Sequence, residues 1–165
     1  MKILAALKKI KHLDRKIEKK LKLIAKYCSV IMEPNDEDPI YNEDDVQGMI
    51  QAIGDMSTEK AAIRSALHRT NVRTKVLFQK KECSIDELLL FQNVVLPAKM
   101  STLTVLRRKE KGRGFGNSDS KDAYVLNQYD PRKRDRDIEK LEDLMHELDE
   151  LLDGLNIETD VVGLD

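Results

Sequence analysis

Ile3, Ala6, Ile10, Leu13, Ile17 and Ile24 lie three, four or seven positions apart, so a helix gathers them on one face. This stripe predicts a first helix over about 3–30. Val46, Met49, Ile50, Ile53, Met56, Ile63 and Leu67 predict a second over about 43–70. Asn42 stands where a cap is needed, and Glu43, Asp44 and Asp45 fall where the helix dipole favours acids. Gly48 and Gly54 each weaken this helix by about 1 kcal/mol relative to Ala unless another backbone packs closely there. Ser84 and Glu87 form a capping box, opening a third helix over about 85–110 through Leu88, Leu89, Phe91, Val95 and Leu96. Pro97 lies inside it and should kink it. The last stripe is the most regular. Ile138, Leu141, Met145, Leu148, Leu152 and Leu155 alternate by three and four, a coiled-coil seam over about 134–153.

Two segments break the pattern. Residues 33–45 hold two prolines and seven acids with no base, and read as a loop. Residues 107–124 read as a flexible basic loop in which Arg107, Arg108, Lys109, Lys111 and Arg113 meet Gly112, Gly114 and Gly116. The expected fold class is therefore all-α: a single helical domain over 1–165, with long antiparallel helices forming a helical bundle or coiled-coil hairpin.

Composition sharpens this expectation. Charged residues make up 36% of the chain and aromatic ones 4%, without a Trp, which suits helices meeting along narrow seams. Such a chain leaves apolar stripe uncovered, so a homo-oligomer is expected. The net charge of -1 gives no global pull toward nucleic acid or membrane. Locally the balance is uneven: residues 1–26 carry ten Lys or Arg against two acids, and residues 135–153 carry nine acids against two bases. The first and last helices should therefore lie side by side. No run approaches the ~18 apolar residues of a membrane span. "MKILAALKKIKHL" lacks the unbroken apolar core of a secretion signal, and Cys28 and Cys83 form no CxxC, so reduced thiols and a cytoplasmic location are expected.

Catalytic chemistry is thin. His12, His68 and His146 stand alone, with no HExxH, no Cys/His cluster and no GxSxG. The GxGxG of the basic loop follows no strand and opens no helix, so it is not a dinucleotide fingerprint. No metal or cofactor is expected, and the chain reads as a non-enzyme.

The stretch that asks for explanation is "SALHRTNVRTKV", residues 65–76. One reading is a helix end, with Asn71 left-handed and Thr70 and Thr74 bonding to freed carbonyls. The other is a ligand site, since Arg69, Thr70, Asn71, Arg73 and Thr74 offer several donors and two fixed positive charges suited to phosphate or carboxylate. Arg113, in the basic loop, could then reach the same anion as part of a flap.

"AIRSALHRTNVRT", the Lys-rich start, "SIDELLLFQNVVLPAKMSTL" and the ending "LDELLDGLNIETDVV" together resemble the septicolysin-like family of small helical bacterial and phage proteins. The likeness spans nearly the whole chain, and its most specific parts are Thr70-Asn71-x-x-Thr74 and Leu155-Asn156-x-x-Thr159. The chain departs from the family at Ile157, where Trp is usual, and in its more basic, Gly-rich loop. The resemblance implies that two Asn-x-x-Thr elements, one holding Asn156 and Thr159, meet within a chain or across a subunit boundary beside Arg69 and Arg73. The expected function is thus a non-catalytic oligomer binding a small anionic, nucleotide-like molecule, a sponge or sensor that a phage could encode. The alternative is a structural or interaction protein, such as a virion component or assembly scaffold.

Overall fold

The computed structural model describes residues 1–29, 31–32, 39–106 and 126–164. The chain is mostly helical: α1 (Ile3–Tyr27), α2 (Glu43–Arg73), α3 (Ile85–Leu90), a π-helical turn (Phe91–Val95), α4 (Leu96–Thr104) and α5 (Pro131–Glu158). Between α2 and α3 lies an antiparallel hairpin of β1 (Lys75–Phe78) and β2 (Lys81–Ser84). No described helix is long and apolar enough to cross a membrane.

Local chemistry explains most of these boundaries. Asn42 caps α2 in a box with Asp45: the Asp45 amide donates to Asn42 Oδ1 at 2.9 Å and the Asn42 amide to Asp45 Oδ2 at 3.1 Å. Asp130 caps α5 by accepting from the amides of Arg132 and Lys133, and Pro131 suits the first turn because its missing N–H would have been an orphan. The expected helix over 134–153 therefore starts earlier and runs on to Glu158. The third helix ends at Thr104, within the described residues, rather than near 110. Where the sequence predicts a kink at Pro97, the observed change is in the hydrogen-bond ladder of the turn before it. A proline lacks the N–H that would pair with the carbonyl four residues back, and the turn before it widens to π geometry over Phe91–Val95.

The β-hairpin was absent from the sequence reading. Its two-residue turn places Gln79 at φ 51° and Lys80 at φ 64°, a conformation for which Asn-Gly is the familiar signal and Gln-Lys is not. Val76 and Phe78 point inward and Leu77 outward, so Phe78 joins the core while Leu77 stays exposed.

The core unites Ile3, Ala6, Ile10 and Leu13 of α1 with Ile63, Ala66 and Leu67 of α2, and with Phe78, Ile85, Leu88, Leu96, Leu141, Leu148, Leu152 and Val161. Of α1 and α2, only the first half and the last third supply buried residues to this cluster, with Met56 of α2 packed against it. Their remaining lengths run antiparallel, from the Lys9–Glu59 and Asp14–Lys60 ion pairs out to the Tyr27 and Tyr41 rings, 4.8 Å apart. α1 does touch α5, as expected of the first and last helices, but their charges do not pair. Among the described residues, the ion pairs that leave α1 go to α2, and those from the start of the chain toward α5 join the Met1 ammonium and Lys2 to Asp160, beyond the helix. The apolar stripe of α1, not its charge, chooses its neighbours.

Gly48 and Gly54 have open space where a side chain would go. Neither is required by a close backbone, so Gly54→Ala should raise unfolding free energy by up to about 1 kcal/mol, read by urea denaturation. A loss would reveal a neighbour at that position.

The start of α3 carries a pH dependence. The amide of Ser84 donates to Glu87 Oε2 at 2.6 Å and its hydroxyl at 2.9 Å, and the Glu87 amide donates to Ser84 Oγ at 3.1 Å. These bonds, the backbone one first, with Lys75 nearby, hold the Glu87 carboxyl below its ordinary 4.5. A carboxyl depressed in the folded state adds stability above its unfolded value, and that stability is lost as pH falls through the lower folded value. Melting temperature should therefore drop on acidification below about pH 4.5, and Glu87→Gln should flatten part of the drop. An unchanged acid profile in that variant would remove the capping box from the explanation.

Candidate functional site

α2 continues through Asn71 to Arg73, so Asn71 is not a left-handed helix end. The terminal residue is Thr74, in extended conformation, whose amide donates to the Thr70 carbonyl at 2.9 Å and whose carbonyl accepts from Ile85 at 3.2 Å. That one-turn extension disperses the expected cluster. At 100° per residue, Arg69 and Arg73 share one flank of the helix, Thr70 faces the core, and Asn71 falls on the other flank. The single site imagined for these residues is split.

Each part has its own setting. Arg69 is exposed and donates from Nη1 to Ser65 Oγ at 2.8 Å, one turn back. Arg73 is exposed and has no ion pair or hydrogen bond among the described residues. Asn71 is half-buried, and its Oδ1 is buried without a hydrogen-bond partner among the described residues. Thr70 is fully buried. Its hydroxyl donates to the Ala66 carbonyl at 2.9 Å and accepts from the Val162 amide at 2.9 Å, which ties α2 to the segment after α5.

The second Asn-x-x-Thr element lies at the same end of the molecule. Asn156 is half-buried in the last turn of α5, and Thr159 is the residue that ends it. The Thr159 carbonyl accepts from Ile3 at 3.0 Å, supplying a partner to the otherwise uncapped start of α1. Lys2 and Asp160 pair as an antiparallel bridge, with Lys2 Nζ 2.7 Å from Asp160 Oδ2. Since Thr159 and Val162 are three residues apart, they cannot be more than about 11 Å from each other. The two helix ends are thus gathered at one end of the molecule by a short terminal segment, with no hydrogen bond between Asn71 and Asn156 or Thr159. Arg113 lies outside the described residues, as does the whole basic loop over 107–124.

Both converging ends are helix C-termini, which offer carbonyls and a partial negative charge of about 0.5 each rather than amides for an anion. The two guanidiniums outweigh them in formal charge. Yet what lies beside Arg69 and Arg73 is a convex helix flank. Clefts lie elsewhere, one of about 380 Å³ between the hairpin and the π-helical turn, lined by Phe78, Lys81, Cys83, Glu87 and Phe91 among others. No group of three His, Cys, Asp or Glu side chains converges among the described residues.

What sequence reasoning missed is the outer surface of the two long charged helices. On α1, Lys8, Lys11, Arg15, Lys19, Lys22 and Lys26 follow each other by three or four and lie opposite the core residues, all exposed. On α5, Asp135, Glu139, Glu142, Asp143, Glu150 and Asp153 are likewise exposed and lie opposite the core residues, with the opposite sign. The charge count was legible from the sequence. That these faces do not cover one another was not.

Compared with known families, curated proteins and solved structures, the chain matches none.

Proposed function

We propose that this is a non-catalytic interaction protein that acts by association through the outer faces of its long helices. The observation that carries this reading is the exposed charge on α1 and α5, largely unpartnered among the described residues, beside an α1–α2 arm that keeps apolar Leu21 and Ile50 at the surface, 52% and 49% exposed. Apolar side chains inside a charged frame are how a helix surface recognises another macromolecule. Purified protein should sediment above the monomer mass of 19.0 kDa as concentration is raised. A single monomeric species at every concentration, with no added partner shifting it, would overturn the reading.

A second reading, a small anionic nucleotide-like ligand, is favoured by one observation: Arg69 and Arg73 stand on adjacent turns with no carboxylate opposing them among the described residues. The likeness of Thr70-Asn71-x-x-Thr74 to the septicolysin-like motif points the same way. If this flank takes a phosphate, Arg73→Ala should weaken binding about tenfold or more while leaving stability within about 0.5 kcal/mol. Thermal shift with nucleotides, parent against variant, measures both; a parent that responds to none would end this reading.

A further inference from the structure

We infer that the basic face of α1 docks on the acidic face of α5 in a second copy of this chain, an inference that rests on the association reading above. Lys8, Lys11, Arg15 and Lys19 have no ion pair or hydrogen bond among the described residues. Neither do Glu139, Glu142, Asp143 and Asp153 on α5. From Lys8 to Lys22 the basic face runs about 21 Å, and from Glu139 to Asp153 the acidic face runs about 21 Å, at 1.5 Å per residue. Over these spans the two faces are matched in length and in number of charges, five on each, and opposite in sign.

Within one chain they cannot satisfy each other, because the core holds both faces outward. A nucleic acid or an anionic surface could cover α1, but it would leave α5 unpaired and would repel it. A second copy satisfies both faces at once, and the whole-chain charge of -1 fits a surface that balances itself. The contact joins two different surfaces, so it closes only where the second pair forms reciprocally or in a ring; otherwise it extends as a filament.

Light scattering and sedimentation of the full chain test this at about 0.01 M and about 1 M salt, between which the screening length falls from about 30 Å to about 3 Å. Association should weaken at least about tenfold at the higher salt. The triple variant Lys8→Glu, Arg15→Glu, Lys19→Glu should be monomeric by itself, as should Glu139→Lys, Asp143→Lys, Asp153→Lys. Mixing the two variants should restore a complex, since the reversed α1 now meets a reversed α5. Circular dichroism checks folding, and Arg15→Glu with Asp143→Lys repeats the swap should a triple variant fail to fold. Assembly that ignores both salt and reversal overturns this docking while leaving the association reading intact. A monomer under all conditions overturns both. A monomer that binds heparin or DNA through α1 also overturns the docking and assigns the basic face to a polyanion.

Discussion

Leu148→Asp should lower the free energy of unfolding by about 3–5 kcal/mol, the largest effect expected of any change considered for this chain. Leu148 is fully buried in the middle of α5, with Leu141 and Leu152 buried one or two turns away on the same face. The substitution removes a packed side chain and puts a carboxyl among Ile, Leu and Val, where it must either stay charged without a partner or take up a proton. Domains of this size are stable by only about 5–15 kcal/mol, so about a fifth of the total or more is lost. Glu150 provides the contrast. It lies two residues on, on the outer face, where Oε1 is 3.4 Å from His146 Nε2 and both side chains are exposed. Glu150→Ala should change stability by no more than about 0.5 kcal/mol. Urea denaturation of the two variants measures the difference, and equal effects would mean that α5 presents another face to the core.

Thr70→Val should cost about 1–3 kcal/mol, although the two side chains have nearly the same shape. The hydroxyl is a two-way connection: it donates to Ala66 and accepts from Val162. Its loss leaves the partly buried Val162 amide without an acceptor, and leaving one partner unpaired costs more than the bond itself is worth. Thr70→Ser keeps the hydroxyl and should lose less. The location of the damage is as informative as its size. Hydrogen exchange at Val162 should accelerate in Thr70→Val and not in Thr70→Ser, because the hydroxyl protects that amide. Equal protection in the two would show that the segment's other bonds, to Met1, Lys2 and Ile3, suffice to hold it.

Thr70 thus answers the question raised by "SALHRTNVRTKV". Its hydroxyl ties α2 to the terminal segment, and the two arginines beside it are separated from Asn71 by the continuing helix. A sequence shows that polar residues are adjacent along the chain. It does not show where the helix stops, and three further residues of helix are enough to send those side chains to different sides.

The sequence by itself determined the predominantly helical class, the starts of α2 and α3, and the buried stripe of α5. These follow from interactions within a turn or two: 3.6-residue periodicity, Asn42 with Asp45, and Ser84 with Glu87. Tertiary structure decided what depends on residues far apart in the chain. The hairpin forms with the unremarked turn Gln79-Lys80, its Phe78 buried in the shared core. The start of α1 is completed by the carbonyl of Thr159, more than 150 residues away. The charged faces of α1 and α5 stay apart because burying Ile3, Ala6, Ile10 and Leu13 against α2 and α5 fixes the rotation of α1. Apolar burial is worth about 1.5–3 kcal/mol for each large side chain, against about 0–1 kcal/mol for an exposed ion pair, so packing sets the orientation and charge is left on the outside.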